Sequence, residues 1–292
     1  MLSLYTNIAA LYAQNAAARA QASLSTSMTR LATGFRINSA MDDAAGLQIA
    51  TRLRAQASGM QVAMRNTQNS TSMLQTAEGA FGEVTSMLMR MKDLATQAAD
   101  ASSNQQDRDA MQGEYDALGA ELYNIMRNTS FGGSKLLGNG NAGTGTLSAA
   151  MVFQIGASGS ETMGFDVSGK MATLDTALQS LSAHFAATAA AGNEISSNGG
   201  ANSMIDLLAD AINQVAGVRS ALGAAGSRLD HVNNNLGNMV TNTRIAIGRI
   251  MDVDYAAESA NMTSAQMLLQ ASTAMIKQSQ GMAKLILSLL QP

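Results

Sequence analysis

The chain has 292 residues, no Cys, no Trp, a single Pro and a formal net charge of −3. Without Cys there are no disulfides, thiolate nucleophiles or Cys-ligated metals. The weak acidic balance gives no footprint for nucleic acid or an anionic membrane surface, and no run approaches the roughly 18 consecutive apolar residues of a spanning helix, so neither nucleic-acid binding nor membrane insertion is expected.

Residues 1 to 33 place Leu4, Ile8, Leu11, Ala18, Ala22 and Leu31 at helical spacing. The first 18 residues carry no charge and no basic segment precedes the apolar positions, so a cleavable secretory signal is not expected. Asp42 and Asp43 open the next helical segment, where carboxylates suit the free amides and the positive dipole end. From Ile49 to Ala98 apolar and small residues recur every seven positions, in the row Leu53, Met60, Thr67, Leu74, Phe81, Leu88, Ala95 and a companion row Ile49, Ala63, Ala77, Val84, Met91, Ala98. That is a coiled-coil-like seam. The only Pro is Pro292, so no ring breaks a helix inside the chain.

Asp107 to Arg127 reads as a further helix, with Met111, Leu118, Leu122, Ile125 and Met126 on one side and Gly113 and Gly119 as weak points. Composition changes at Thr129. Residues 131 to 170 are rich in Gly, Ser, Asn and Thr, and hold two strand-like runs, Val152 to Ile155 and Gly164 to Val167, which predict a small hairpin. Leu174 to Phe185 predicts a short helix and Ala191 to Gly200 a flexible loop. The heptad then returns strictly in Leu208, Val215, Leu222, Leu229 and Leu236, flanked by Ile205, Ile212 and Val240. One helix from Ala201 to Arg249 would be about 70 Å long, which predicts a rod. In the tail, Leu268, Met275, Met282 and Leu289 run beside Leu269, Ile276, Ala283 and Leu290, and after Glu258 the only charges are Lys277 and Lys284. These ends lack the charged face of a stable isolated helix; they are expected to fold by pairing with each other and with copies of the chain.

The expected fold class is mainly α: a long coiled-coil-like helical rod with paired N- and C-terminal segments and a small β-hairpin region mid-chain. No catalytic, cofactor or metal site is expected. His184 and His231 have no His, Cys or carboxylate at i+3 or i+4, and no Ser, His and Asp set is indicated. Glycines between Gly132 and Gly145 match no phosphate loop and read as turns. The Met-rich stripe from Met60 to Met91 reads as packing. Small residues at Ala98, Ala99, Ala221, Ala224 and Ala225 are expected to let rods slide past one another, with Ala225 at such a contact.

The segment Leu31-Ala-Thr-Gly-Phe-Arg-Ile-Asn-Ser-Ala-Met-Asp-Asp-Ala-Ala-Gly46 resembles the N-terminal signature of bacterial flagellins, with Met41 where a Lys is usual. Arg249-Ile-Met-Asp-Val-Asp-Tyr-Ala-Ala-Glu-Ser-Ala-Asn-Met-Thr-Ser-Ala-Gln266 is similar to the C-terminal signature. Similar stretches cover about residues 1 to 138 and 201 to 291, and Phe153-Gln-Ile-Gly156 resembles a hairpin segment of the family. The resemblance implies a structural, non-enzymatic subunit that polymerises with itself into an extracellular filament for swimming. Residues 1–41 and 251–292 would form the inner tube, 42–130 and 201–250 the rod, and 131–200 a reduced outer region. Leu4, Ile8, Leu11, Leu31, Leu268, Met275, Ile276, Met282, Leu289 and Leu290 would carry self-assembly.

The resemblance further implies type III export without signal cleavage, an export chaperone on the C-terminal tail, and filament cap and junction proteins as neighbours. A Toll-like innate receptor recognises a family motif that is matched here by Leu88, Arg90, Leu94, Gln97 and Glu114. Two alternatives share the heptad ends: a hook–filament junction protein and a flagellin-like surface adhesin. An inserted metalloprotease is not expected, since residues 131 to 200 hold one His and no His-Glu-x-x-His motif.

Overall fold

The structure is a computed structural model that describes residues 7–138, 145–188 and 191–290, with side chains described up to Met282 in the last helix. The chain divides into two units, Met1–Ala57 with Thr241–Pro292, and Ser58–Val240. The mainly helical class expected from the sequence is the one found. In chain order the helices are α1 (Ile8–Thr33), α2 (Ala44–Ala98), α3 (Gln105–Asn128), α4 (Ser168–Leu181), α5 (Asn198–Met251) and α6 (Tyr255–Leu290). With no internal proline, α2 runs unbroken for 55 residues, about 80 Å at the α-helical rise.

In the unit Ser58–Val240, the heptad row Met60, Thr67, Leu74, Phe81, Leu88 and Ala95 is buried throughout, as are Leu208, Val215, Leu222, Leu229 and Leu236 on α5. Most of these side chains join one apolar cluster with Tyr115, Leu122 and Met126 of α3 and Met171, Leu174, Leu178 and Leu181 of α4. The Met-rich stripe belongs to this core through Met91, with Met73 and Met87 packed against it, while Met60 is buried outside the cluster and Met89 points out. α3 starts two residues before the expected Asp107, because Asn104 and Asp107 close a capping box that satisfies the free amides of the first turn.

Two short hairpins follow α3. β1 (Ser130–Phe131) pairs antiparallel with β2 (Ser134–Lys135), and the turn needs Gly132 and Gly133 at φ 57° and 87°, a left-handed pair that two glycines supply without strain. β3 (Met151–Gln154) pairs antiparallel with β4 (Thr162–Phe165), with Phe153 opposite Met163. The expected strands are displaced by one or two residues. The stacked rings of Phe153 and Phe165, 6.2 Å apart, face the core, and Val152 faces out. The helix expected at Leu174 begins at Ser168, where Asp166 Oδ1 accepts hydrogen bonds from the Ser168 amide and hydroxyl. It stops at Leu181 because Ser182 turns extended.

In the other unit, α1 ends at Gly34 with φ 75°, a left-handed cap whose amide donates to Arg30 O. The chain then makes an isolated bridge between Phe35 and Asp252. Arg36 N donates to Met251 O, Val253 N donates to Gly34 O, and Arg36 Nη2 donates to Ile250 O. Ile37, Ala50 and Met251 form a small core there. Along this end of α2 the expected seam slips by a residue or more, for Ile49 is exposed and Leu53 half-buried, while Ala50 and Ala57 are covered. Asp43 caps α2 by accepting from the Gly46 amide at 2.8 Å. Asp42 instead folds back on the preceding turn, where its Oδ2 accepts from the amides of Asn38 and Ser39, which hold its carboxyl below the usual range.

Candidate assembly interface

α1 and α6 pack along each other. Among the described side chains, the buried positions of α1 are Ala13, Ala20 and Ser27, and those of α6 are Glu258, Ala265, Ser272 and Ser279. Both sets repeat every seven residues, so the pair is a coiled-coil seam made of small side chains. Small residues let two helix backbones approach closely, but each buried methyl contributes only about 0.8 kcal/mol. Polar contacts close the seam at both ends. Asn7 caps α1 by accepting from the Ala10 amide; its Oδ1 also accepts from Ser279 Oγ at 2.9 Å, and its Nδ2 donates to Ser279 O at 3.3 Å. At the other end Arg30 lies 3.7 Å from the largely buried Glu258.

The large apolar residues that the sequence assigned to assembly are elsewhere. Ile8 and Leu11 on α1 and Leu268, Met275 and Met282 on α6 are exposed, with Leu268 at 61%. Leu31 and Ile276 are half-buried. Leu4 lies outside the described residues, as do the side chains of Leu289 and Leu290, although both belong to α6. An open groove of about 670 Å³ runs beside the seam, lined by Ala16, Ala20, Ser23, Ser264, Leu268 and Ser272 among others. The seam residues were missed because a search for large apolar side chains passes over Ala and Ser; a heptad search that counts them finds Ala13, Ala20, Ser27 and Ala265, Ser272, Ser279.

The proposed receptor-facing residues divide in two. Arg90 and Glu114 form a half-exposed pair at 2.7 Å, whose hydrogen bond lowers the carboxyl and raises the guanidinium from their ordinary values. Gln97 is exposed beside them in sequence, whereas Leu88 and Leu94 are buried in the core. The small residues expected at sliding contacts also divide: Ala98 and Ala225 are buried inside the chain's own core, Ala99 and Ala221 are half-buried, and Ala224 is exposed. Ala225 therefore packs within the subunit, contrary to its expected place between rods.

A polar network holds the crossover between α4 and α5. Gln112 Nε2 donates to Asp116 Oδ1 and Glu194 Oε2, both at 2.7 Å, and its Oε1 accepts from the Ile195 amide at 2.8 Å. Glu194 Oε1 accepts from the Ala183 amide, and His184 Nε2 lies 3.3 Å from Asp116 Oδ2. His184 thus faces a carboxylate from α3, far away in sequence, which local spacing does not reveal. The segment expected as a loop from Ala191 is non-helical only to Ser197, since α5 begins at Asn198. Buried Tyr115 donates to Leu181 O at 2.9 Å, and burial, with the nearby charges of Glu194 and Asp116, pushes its phenol well above the ordinary value. Among the described residues no group of three or more His, Cys, Asp or Glu could hold a metal ion, and no helix is long and apolar enough to cross a membrane.

Residues 4–142 match the bacterial flagellin N-terminal helical region, and residues 205–290 match the bacterial flagellin C-terminal helical region. A flagellin of Halalkalibacterium halodurans is 38% identical, with 90% of each chain covered. Flagellin A of Vibrio anguillarum is 33% identical over 99% of this chain and 100% of its own. That alignment runs over 384 positions, so the Vibrio chain carries residues that this 292-residue chain lacks. A solved chain from Vibrio parahaemolyticus, described as flagellar hook-associated, is 16% identical with a TM-score of 0.54, covering 72% of this chain and all of that one. At that identity the likeness is one of fold. Flagellin relatives extend over nearly the whole chain, which disfavours the junction-protein and adhesin alternatives. The chain belongs to the bacterial flagellins, structural proteins of the flagellar filament and not enzymes.

Proposed function

We propose that the outer face of the α1–α6 pair polymerises the subunit: Ile8, Leu11, Leu268, Met275 and Met282, joined by Leu4, Leu31, Ile276, Leu289 and Leu290, are covered by copies of the same chain. One observation carries this reading. The pair buries small residues within itself and leaves Ile8, Leu11, Leu268, Met275 and Met282 exposed, so that their hydrophobic free energy is still to be gained on association. In the filament, residues 1–41 and 251–292 form the inner tube, residues 42–130 and 201–250 the rod around it, and residues 131–200 a reduced outer region.

The same exposed stripe of α6 is a ready ligand for an export chaperone that keeps it from premature association. Filament cap and junction proteins are the partners at the two ends of the polymer, which lies outside the cell. A Toll-like receptor would read Arg90, Gln97 and Glu114, with Leu88 and Leu94 shaping that surface from beneath.

The test is the full-length double variant Leu268→Glu, Met275→Glu, mixed with sheared filaments and followed by electron microscopy. Burying an unpaired carboxylate costs several kcal/mol, so elongation is expected to stop while the melting of the Ser58–Val240 unit stays unchanged. Elongation at the parent rate would overturn the assignment of this face.

A further inference from the structure

Methionines lie both inside this chain and at its surface, with Met28, Met89, Met239 and Met267 among the exposed ones. In the core, Met60 is 2% exposed and Met91 0%, whereas Met275 and Met282 on α6 are 59% and 50% exposed. They stand seven residues apart and continue the stripe of Leu268, so part of the face assigned above to subunit contact is built from accessible thioethers. A thioether is as apolar as Leu in contact with another hydrocarbon surface, but it is also open to two-electron oxidation.

We propose that Met275 and Met282 are an oxidative modification site: a peroxide converts them to methionine sulfoxide in the free subunit, and the modified subunit no longer adds to the filament. The sulfur lone pair attacks one peroxide oxygen, an S–O bond forms as the O–O bond breaks, the sulfur is oxidised by two electrons and the peroxide leaves as water. The sulfoxide oxygen is a strong hydrogen-bond acceptor, which water satisfies in the free chain and an apolar subunit contact does not. The change is reversible by methionine sulfoxide reductases. Subunits already in a filament bury the same sulfurs and are protected, so the modification discriminates between unassembled and assembled chains. Met41, the most exposed of the described methionines at 97%, sits on the Asp42-held turn and is not part of this stripe.

The inference rests on the assembly face proposed above, and the experiment separates the two. Full-length subunit is treated with a limiting dose of hydrogen peroxide, oxygen uptake is mapped residue by residue by mass spectrometry, and the subunit concentration needed to elongate sheared filaments is measured. Untreated chain elongates the seeds. Oxidised chain is expected to carry oxygen at Met275 and Met282 but not at Met60 or Met91, and to need about tenfold more subunit or more. The double variant Met275→Leu, Met282→Leu, a near volume-conserving change, is compared with its own untreated sample, and the same dose is expected to leave the concentration it needs for elongation unchanged. Oxidised parent that elongates like the untreated chain, or a double variant that loses elongation as the parent does, would overturn the modification site while leaving the assembly face standing. Untreated chain that fails to elongate seeds would overturn both.

Discussion

Tyr115→Phe separates one hydrogen bond from its burial and does so in a way that pH reports. The phenol is fully buried and donates to Leu181 O at 2.9 Å, tying α3 to the end of α4. Phe keeps the ring and removes the donor, leaving a carbonyl unsatisfied in the core; at neutral pH the loss is about 1 kcal/mol. Alkali reverses the order. The unfolded phenol ionises near its ordinary pKa of 10.0, while burial and the charges of Glu194 and Asp116 raise the folded value well above that. A raised folded pKa means that the phenol's contribution is intact below pH 10 and is lost as pH climbs from there towards the folded value. The unfolded state then holds fewer protons than the folded one, and the slope is about 1.4 kcal/mol per pH unit. The parent therefore falls relative to Tyr115→Phe above pH 10, and the two stabilities meet near pH 11 on these figures. Urea unfolding of the monomer, followed by circular dichroism between pH 7 and 11.5, measures the difference between parent and variant, in which the other titrating groups cancel. A difference that stays constant across that range would refute the argument that Tyr115 is held un-ionised by its surroundings.

Three further outcomes follow from the packing. Ala225→Leu forces extra methylenes into a filled core and should destabilise the monomer by about 1–3 kcal/mol in urea; an unchanged monomer with a changed filament supercoil would return Ala225 to a contact between subunits. Asp43→Ala removes the acceptor for the Gly46 amide and should cost about 1 kcal/mol, visible as faster hydrogen exchange in the first turn of α2. Gly34→Ala must hold φ 75° with a Cβ 3.0 Å from Tyr255 Oη, at a cost of about 1–2 kcal/mol, and should speed exchange of the Val253 amide that donates to Gly34 O.

The long helices were legible because their cores are filled by one large apolar residue per heptad, as in Phe81 and Leu88 or Val215 and Leu222, and no proline interrupts them. The terminal pair was legible as helices but not as a packing arrangement. Hydrophobicity alone singles out Leu268 and Met275, yet a close helix pair selects Ala265 and Ser272, and the larger residues are left for another surface. Hydrophobic spacing does not distinguish a side chain buried in its own subunit from one reserved for a neighbour; Ala225 went astray in the opposite sense for the same reason. α4 was displaced because its start is set by the Asp166 to Ser168 hydrogen bonds and not by its apolar spacing. The Gln112, Glu194 and His184 network was invisible, since its members come from segments with no shared period and meet only through the tertiary fold. The receptor motif was readable as a match of residues, but burial divides it, and burial is not written in a motif.

The pairing of α1 with α6 also orders events in time. α1 waits for a segment more than 200 residues further along the chain and closes a very long loop when it docks. Throughout synthesis α1 is without that partner, and a product that stops before α6 never supplies it. The seam of alanines and serines thus reports that synthesis has passed α6: until it has, Ala13, Ala20 and Ser27 of α1 remain in water.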